Sequence, residues 1–244
     1  MKTIPQTAMI LAAGRGQRMR PISDKTPKPL ISVQGHTLID YSLDHLVAAG
    51  VKRVVVNIHY LGDLIASHLK QRKEPEIILS REDELLDTGG GLVNALPHLG
   101  DAPFFILNTD SLWLDGPTPA LQRLAAGYDE DSMDALLLLH STVEAYGYAG
   151  SGDFVVSPTG RLVRRPEREQ SPYAYMGIQI AHPRMFADAP SGAFSLNVLF
   201  DRSLEAERLY GIIHDGEWFH IGTPDGLDQA ESYMAERFPG IRHR

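Results

Sequence analysis

The sequence predicts an α/β protein with a mixed, mostly parallel sheet flanked by helices, and three observations carry that prediction. Short apolar runs alternate with stretches of helical periodicity through the first half of the chain. Several runs are apolar on consecutive residues rather than on every second one, as strands covered on both faces are. The spans between runs are long enough to hold the crossover helices that parallel pairing requires.

The elements follow in order. Residues 8–13 (AMILAA) form a short apolar strand stopped by Gly14. Ile39, Leu43, Leu46 and Val47 stand at i, i+4, i+7 and i+8, which is one face of a helix. Gly50 follows where a helix end tolerates positive φ. Residues 53–58 (RVVVNI) are a β-branched strand; Leu61, Leu64, Ile65 and Leu69 make a second helical stripe; residues 76–79 are a third strand. Residues 91–99 read as helical up to Pro97, and residues 103–107 (PFFIL) as a fourth strand. The second half is less regular. Residues 135–139 are a strong strand, residues 146–165 suit antiparallel hairpins, residues 175–181 and 209–214 suit further strands, and residues 225–236 a closing helix. Neither a repeat nor a linker divides the chain. One domain over residues 1–244 is therefore expected, an irregular insert included.

Composition narrows the function classes. The 244 residues are 43% hydrophobic, enough for a substantial core, and carry a formal net charge of −8. That balance argues against a nucleic-acid partner. The absence of cysteine excludes disulfide scaffolds, thiolate metal sites and thiol nucleophiles. Residues 8–13 are too few for a secretory core, and no run approaches the roughly 20 apolar residues of a membrane helix. A soluble, cytoplasmic protein without a membrane partner is the expectation.

The most informative stretch is Leu11-Ala12-Ala13-Gly14-Arg15-Gly16-Gln17-Arg18-Met19-Arg20-Pro21. A Gly-x-Gly turn leaving a buried strand presents backbone N–H groups that suit a phosphate. The dinucleotide fingerprint fails because Met19 stands where its third glycine belongs, and no Gly-Lys-Ser/Thr follows as a P-loop requires. Arg15, Arg18, Arg20, Lys25 and Lys28 put five cations into 14 residues of an acidic protein. By composition alone this is either a solvated loop or a cradle for a polyanion. In the second case the prolines at 21, 27 and 29 would limit the backbone and hold Lys28 in a fixed place.

At Gly14-Arg15-Gly16-Gln17-Arg18-Met19-Arg20-Pro21, followed by Pro27-Lys28-Pro29-Leu30, the chain resembles the sugar-1-phosphate nucleotidyltransferases, or NDP-sugar pyrophosphorylases. The resemblance covers nearly the whole chain. It implies a Rossmann-like fold whose NTP-binding part spans about 1–134, with a sugar-binding part at about 135–224 and a closing helix at about 225–244. It implies NTP and a sugar 1-phosphate as partners and Mg²⁺ as cofactor, with Mn²⁺ as the substitute. The nucleotide would meet Leu11, Ala13, Gly14, Gly16, Gln17, Arg18, Lys28, Thr88, Gly89 and Asn108. Arg18, Lys28 and Asp110 would carry catalysis.

The chemistry agrees with those residue types. In-line attack of one phosphate on another needs alignment and charge neutralisation more than a general base. Asp110 falls after a buried strand, where open α/β sheets bind ligands; alone such a residue is more often a turn or helix cap, and it is the resemblance that implies a metal ligand here. The family's usual Gly-Asp is Thr109-Asp110 here. The second metal-ligand position is His220 in Trp218-Phe219-His220-Ile221-Gly222-Thr223, where many relatives have aspartate. Imidazole suits Mn²⁺ or Zn²⁺ better than Mg²⁺. Three roles are open to it: metal ligand, phosphate contact, or a substitution that weakens the metal site.

Leu86-Asp87-Thr88-Gly89-Gly90-Gly91 opens a helix, with Thr88 either its N-cap or a nucleobase contact. The TGGG form looks most like the N-acetylmuramate-1-phosphate uridylyltransferases of bacterial cell-wall recycling, which use UTP. The guanylyltransferases that use GTP and mannose 1-phosphate more often show Thr-Ala-Gly. Gly150-Ser151-Gly152-Asp153-Phe154 resembles the same subfamily's sugar side. The resemblance assigns Asp153, Arg165, Glu167 and Gly177 to the sugar, with Arg165 replacing a lysine that many relatives have. A catalytically weak regulatory subunit is the remaining alternative, favoured by His220 alone. A monomer or homodimer is expected.

Overall fold

The computed structural model describes residues 3–239. In chain order the elements are β1 (Thr7–Leu11), a small hairpin of β2 (Ser32–Val33) and β3 (His36–Thr37), α1 (Leu38–Ala49), β4 (Arg53–Ile58), α2 (Gly62–Leu69), β5 (Glu76–Arg81), α3 (Asp87–Leu99) and β6 (Phe104–Asn108). Then come β7 (Ser111–Leu114), α4 (Ala120–Gly127), β8 (Ala135–Ser141), β9 (Phe154–Val156), β10 (Leu162–Arg164), β11 (Tyr173–Ala181), α5 (Asn197–Glu205), β12 (Leu209–Ile213), β13 (Glu217–His220) and α6 (Pro224–Arg237).

Nine strands form the main sheet. β1 lies between β4 and β6, parallel to both, and β5 extends the parallel set beyond β4. β11 runs antiparallel against β6 and β8, and β12 pairs parallel with β8. The sheet is mixed, and parallel from β5 through β4 and β1 to β6, as the alternation of apolar runs predicts.

Consecutive apolar residues work because successive side chains point to opposite faces, and both faces are covered. Ala8 and Ile10 of β1, Val54 and Val56 of β4, and Phe105 and Leu107 of β6 pack on the face shielded by α1, α2 and α4. Met9, Val55, Phe104 and Ile106 point to the other face, against Leu92, Ala95 and Leu99 of α3 and Leu199 and Phe200 of α5. A third cluster joins Met19, Leu112, Phe219 and Ile221 beneath Ala230 and Met234 of α6. Thr37 caps α1 by accepting from the Asp40 N–H, and Gly50 ends it in the left-handed region at φ 94°.

Several boundaries differ from the sequence expectation. The first strand stops at Leu11 and not Ala13, because Ala12 gives its N–H to a side chain rather than to a neighbouring strand. The helix expected to end at Pro97 runs on to Leu99, since a proline in the last turn removes only one hydrogen bond and Leu99 is buried. That helix starts at Asp87, so Thr88 lies within its first turn and is not its N-cap; the Thr88 hydroxyl accepts from the Leu196 N–H at 2.9 Å. The expected hairpin in 146–165 is β9 paired with β10. β7, β13, α4 and α5 have no counterpart among the sequence-predicted elements.

Candidate active site

A cavity of about 690 Å³ opens beyond the C-terminal ends of β1, β4 and β6. The chain leaves β1 toward β4 on one side and returns to β6 on the other, and that reversal in strand order creates a crevice for ligands. Leu11, Ala13, Gly14, Gly16, Gln17, Arg18, Lys28, Thr88, Asn108 and Asp110 all line it. The sequence-predicted nucleotide set is thereby brought together, Gly89 excepted.

The loop after β1 is built for display. Gly16 adopts φ 60° and starts a 3-10 turn over Gln17–Met19; a Cβ there would lie 3.3 Å from the Lys28 Cβ. Met19 is fully buried and pins the turn, leaving Arg18 exposed at the cavity mouth. The Ser23 hydroxyl donates to the Gly16 carbonyl at 2.8 Å. Of the five cations, Arg15, Arg18 and Lys28 line the cavity, whereas Arg20 pairs with Asp24 at 3.0 Å.

Lys28 begins another 3-10 turn, over Lys28–Leu30, and its Nζ donates to Asp110 Oδ2 at 2.8 Å. The two side chains are 14% and 20% exposed, so this ion pair is shielded from screening far better than a surface pair. Burial works to raise the Asp110 carboxyl, but Lys28 and His220 hold it down at about 2. His220 ends β13 and stands opposite Ser111 of β7, while the Ile221 N–H donates to the Asp110 carbonyl at 2.7 Å. The two-stranded β7–β13 ladder therefore sets Asp110 and His220 side by side. Burial above all lowers the His220 imidazole against the opposing pull of Asp110, with Lys28 and Arg18 adding to the lowering. The ring is thus disposed to be neutral, the form in which imidazole binds metal.

Ala12 and Asn57 line the cavity, and Glu82 lies behind them: Ala12 donates its N–H to Asn57 Oδ1 at 2.7 Å, and Asn57 Nδ2 donates to Glu82 Oε1 at 2.6 Å. Neither Asn57 nor Glu82 is among the sequence-predicted site residues. The one available signal for Asn57 was a polar side chain in an otherwise β-branched strand. Gly89 faces away from the cavity: its N–H donates to the Phe194 carbonyl, and the Phe194 ring covers its α-carbon.

The sugar-side residues are placed less uniformly. Gly177 sits at φ 77° in a register shift of β11, against the Asn108 side chain. Asp153 Oδ2 accepts the Tyr175 N–H at 2.9 Å, and its charge reaches His220. Arg165 donates to the carbonyls of Gly152, Pro166 and Glu169, which commits its guanidinium to the two segments flanking the β9–β10 hairpin. Glu167 is exposed, and neither it nor Arg165 lines the cavity.

Comparison with known proteins agrees with this geometry. The chain matches the nucleotidyl transferase family model over residues 7–237. It is 41% identical over 241 residues to an N-acetylmuramate alpha-1-phosphate uridylyltransferase of Caulobacter vibrioides, covering 97% of this chain and all of that protein. It is 35% identical to the enzyme of the same name from Neisseria meningitidis, covering 92% and 96%. The fold is shared with the inositol-1-phosphate CTP transferase of T. maritima at a TM-score of 0.77 and 20% identity, over 99% of both chains. The match over nearly the whole length and the end-to-end likeness to these relatives show that the chain belongs to the nucleotidyl transferase family.

Proposed function

We propose that the protein transfers the uridylyl group of UTP to N-acetylmuramate 1-phosphate, releasing pyrophosphate and forming the UDP-sugar. The observation that carries the reaction is the Lys28–Asp110 pair on the cavity floor, faced by the glycine loop and Arg18. The choice of substrates rests on the end-to-end likeness to the two uridylyltransferases. Residues 1–134 would hold the nucleotide and residues 135–224 the sugar.

An oxygen of the sugar phosphate attacks the α-phosphorus of UTP in line, and the bond from that phosphorus to the departing pyrophosphate breaks. The attacking phosphate is already ionised, so no side chain has to remove a proton. Arg18 and Lys28 offset the negative charge that the two substrates bring together. Gly14 and Gly16 let the loop backbone approach the β- and γ-phosphates closely.

A divalent cation fits the donor set. Asp110 offers an ionised carboxylate and His220 a neutral imidazole from the neighbouring strand. No group of three or more acidic or histidine ligands occurs among the described residues. The ion would therefore complete its shell with substrate phosphates and water, as Mg²⁺ commonly does and Mn²⁺ can. When bound, it supplies further neutralisation at the phosphates.

The test is pyrophosphate release by the purified protein with UTP, GTP, CTP, ATP and dTTP against several sugar 1-phosphates, under Mg²⁺ and under Mn²⁺. UTP with N-acetylmuramate 1-phosphate is expected to give the highest kcat/KM. Preference for GTP with mannose 1-phosphate would overturn the substrate assignment, and no turnover with any pair would overturn the transferase reading.

A further inference from the structure

Two walls of the cavity are tied together by one buried carboxylate. Leu11, Ala12 and Ala13 line one side, and Leu85, Asp87 and Thr88 line another. Ala12 donates its N–H to Asn57 Oδ1 at 2.7 Å, Asn57 Nδ2 donates to Glu82 Oε1 at 2.6 Å, and the Leu86 N–H donates to Glu82 Oε2 at 3.1 Å. Asn57 is 3% exposed and Glu82 7%. Both Glu82 oxygens and both ends of the Asn57 amide are thus committed to a chain linking the end of β1 to the start of α3.

The third glycine of the TGGG run belongs to this chain of bonds. A Cβ on Gly91 would lie 2.7 Å from both Asn57 Nδ2 and Glu82 Oε1. The glycine makes room beneath α3 for the carboxylate, and it does not face the cavity.

We propose that Glu82, acting through Asn57, is a positioning residue for the nucleobase. The relay holds the Leu11–Ala13 and Leu85–Thr88 segments at a fixed separation, so that the base enters a slot already spaced for it. Pre-organisation of this kind lowers the cost of ordering the site on binding. The inference rests on the reading of the cavity as a nucleotide site, though not on which nucleotide is used.

The polarity of the relay supplies its own test. Glu82→Gln puts an amide where two donors converge, so only one of them keeps an acceptor. Asn57→Asp sets two carboxylates against each other. Combining the two reverses the middle bond: the carboxylate at 57 accepts from Ala12 and from the amide at 82, whose oxygen accepts from Leu86. Each single variant is expected to raise the nucleotide KM about tenfold, consistent with losing a charged hydrogen bond. In both, kcat and the sugar-phosphate KM should stay within about twofold. The double variant should return nucleotide affinity to within about threefold of the parent, which is strong non-additivity.

Titration calorimetry with the NTP alone reads the same affinity without turnover. It is run with whichever NTP the parent binds, which separates this inference from the choice of UTP. Single variants with unchanged nucleotide affinity would overturn the proposal. So would a double variant as poor as the two singles combined, or losses shared equally by both substrates. Should a single variant fail to fold, the double variant and Gly91→Ala decide the matter. Gly91→Ala is expected to weaken the nucleotide selectively, and an unaltered nucleotide affinity in it would overturn the proposal.

Discussion

Lys28 and Asp110 show how much of a residue's chemistry lies in its surroundings. Each is an ordinary charged side chain, yet together at 2.8 Å in a largely buried site they keep a carboxylate ionised to about pH 2. Asp110 is expected to be indispensable. Asp110→Ala should abolish pyrophosphate release while circular dichroism shows the fold intact, and near-normal turnover would show that the metal site lies elsewhere. His220→Asp exchanges imidazole for a harder oxygen ligand, so the rate with Mg²⁺ relative to Mn²⁺ is expected to rise; an unchanged ratio would remove His220 from the metal shell. Arg18, Lys28 and Asp110 could be singled out in the sequence because Arg18 and Lys28 sit in the two linked motifs and Asp110 follows an apolar strand; the structure brings all three to one cavity. Arg165 was not legible in the same way. A guanidinium is available or committed according to which carbonyls surround it, and the segments flanking the β9–β10 hairpin surround this one with three.

At the scale of elements, the helices that cover the sheet are held by polar clamps as well as by apolar stripes. Asp40 on α1 accepts from Thr37, pairs with Arg72 at 2.8 Å just beyond α2, and meets His68 of α2 at 2.7 Å. Burial raises the Asp40 carboxyl, but the bonds to Thr37, Arg72 and His68 outweigh it and leave it below the ordinary 3.8. A lowered folded value means the unfolded chain takes up the proton first. The clamp's contribution is therefore full above pH 3.8 and lost as pH falls through the lower folded value. Asp40→Asn is expected to lower stability at pH 7 by about 1–3 kcal/mol in urea unfolding, and to make the acid limb of the stability curve shallower. An acid limb of unchanged slope would contradict this account.

The same scale explains which elements could be read in advance. β4 was legible to the residue because three consecutive valines inside a sheet leave little alternative. β7 and β13 have only four residues each and find their order in pairing with each other, about a hundred positions apart in sequence. α4 has only Leu121 and Leu124 as large apolar residues, and α5 sets Val198, Leu199 and Phe200 in consecutive positions, so neither shows the stripe that α2 does.

The whole molecule is acidic and its cavity is not. A net charge of −8 coexists with Arg15, Arg18 and Lys28 converging on one opening. Exposed Arg15 and Arg18 attract a polyanion through solvent, an interaction that salt screens over about 8 Å at physiological ionic strength. The nucleotide KM is expected to rise as KCl is raised from about 0.05 to about 0.5 M, with kcat changing less. A KM indifferent to salt would mean the loop cations do not steer the substrate. The main sheet also joins residues 1–134 to residues 135–224, the proposed nucleotide and sugar parts, since β6 pairs directly with β11. That pairing brings Asn108 against Gly177, so on the proposed reading one strand junction would serve both substrates.

The sequence by itself determined the alternation of buried strands and covering helices, the glycine turn after the first strand and its concentration of cations. Backbone preference and side-chain burial are local properties, and a few neighbouring residues suffice to express them. Only the tertiary structure decided that Arg20 is paired with Asp24, that Lys28 meets Asp110, and that Glu82 braces the cavity from behind. The last two relations join residues 82 positions apart in the case of Lys28 and Asp110, and 25 apart for Asn57 and Glu82. Their geometry follows from strand register and crossover direction, which arise only when the whole sheet assembles.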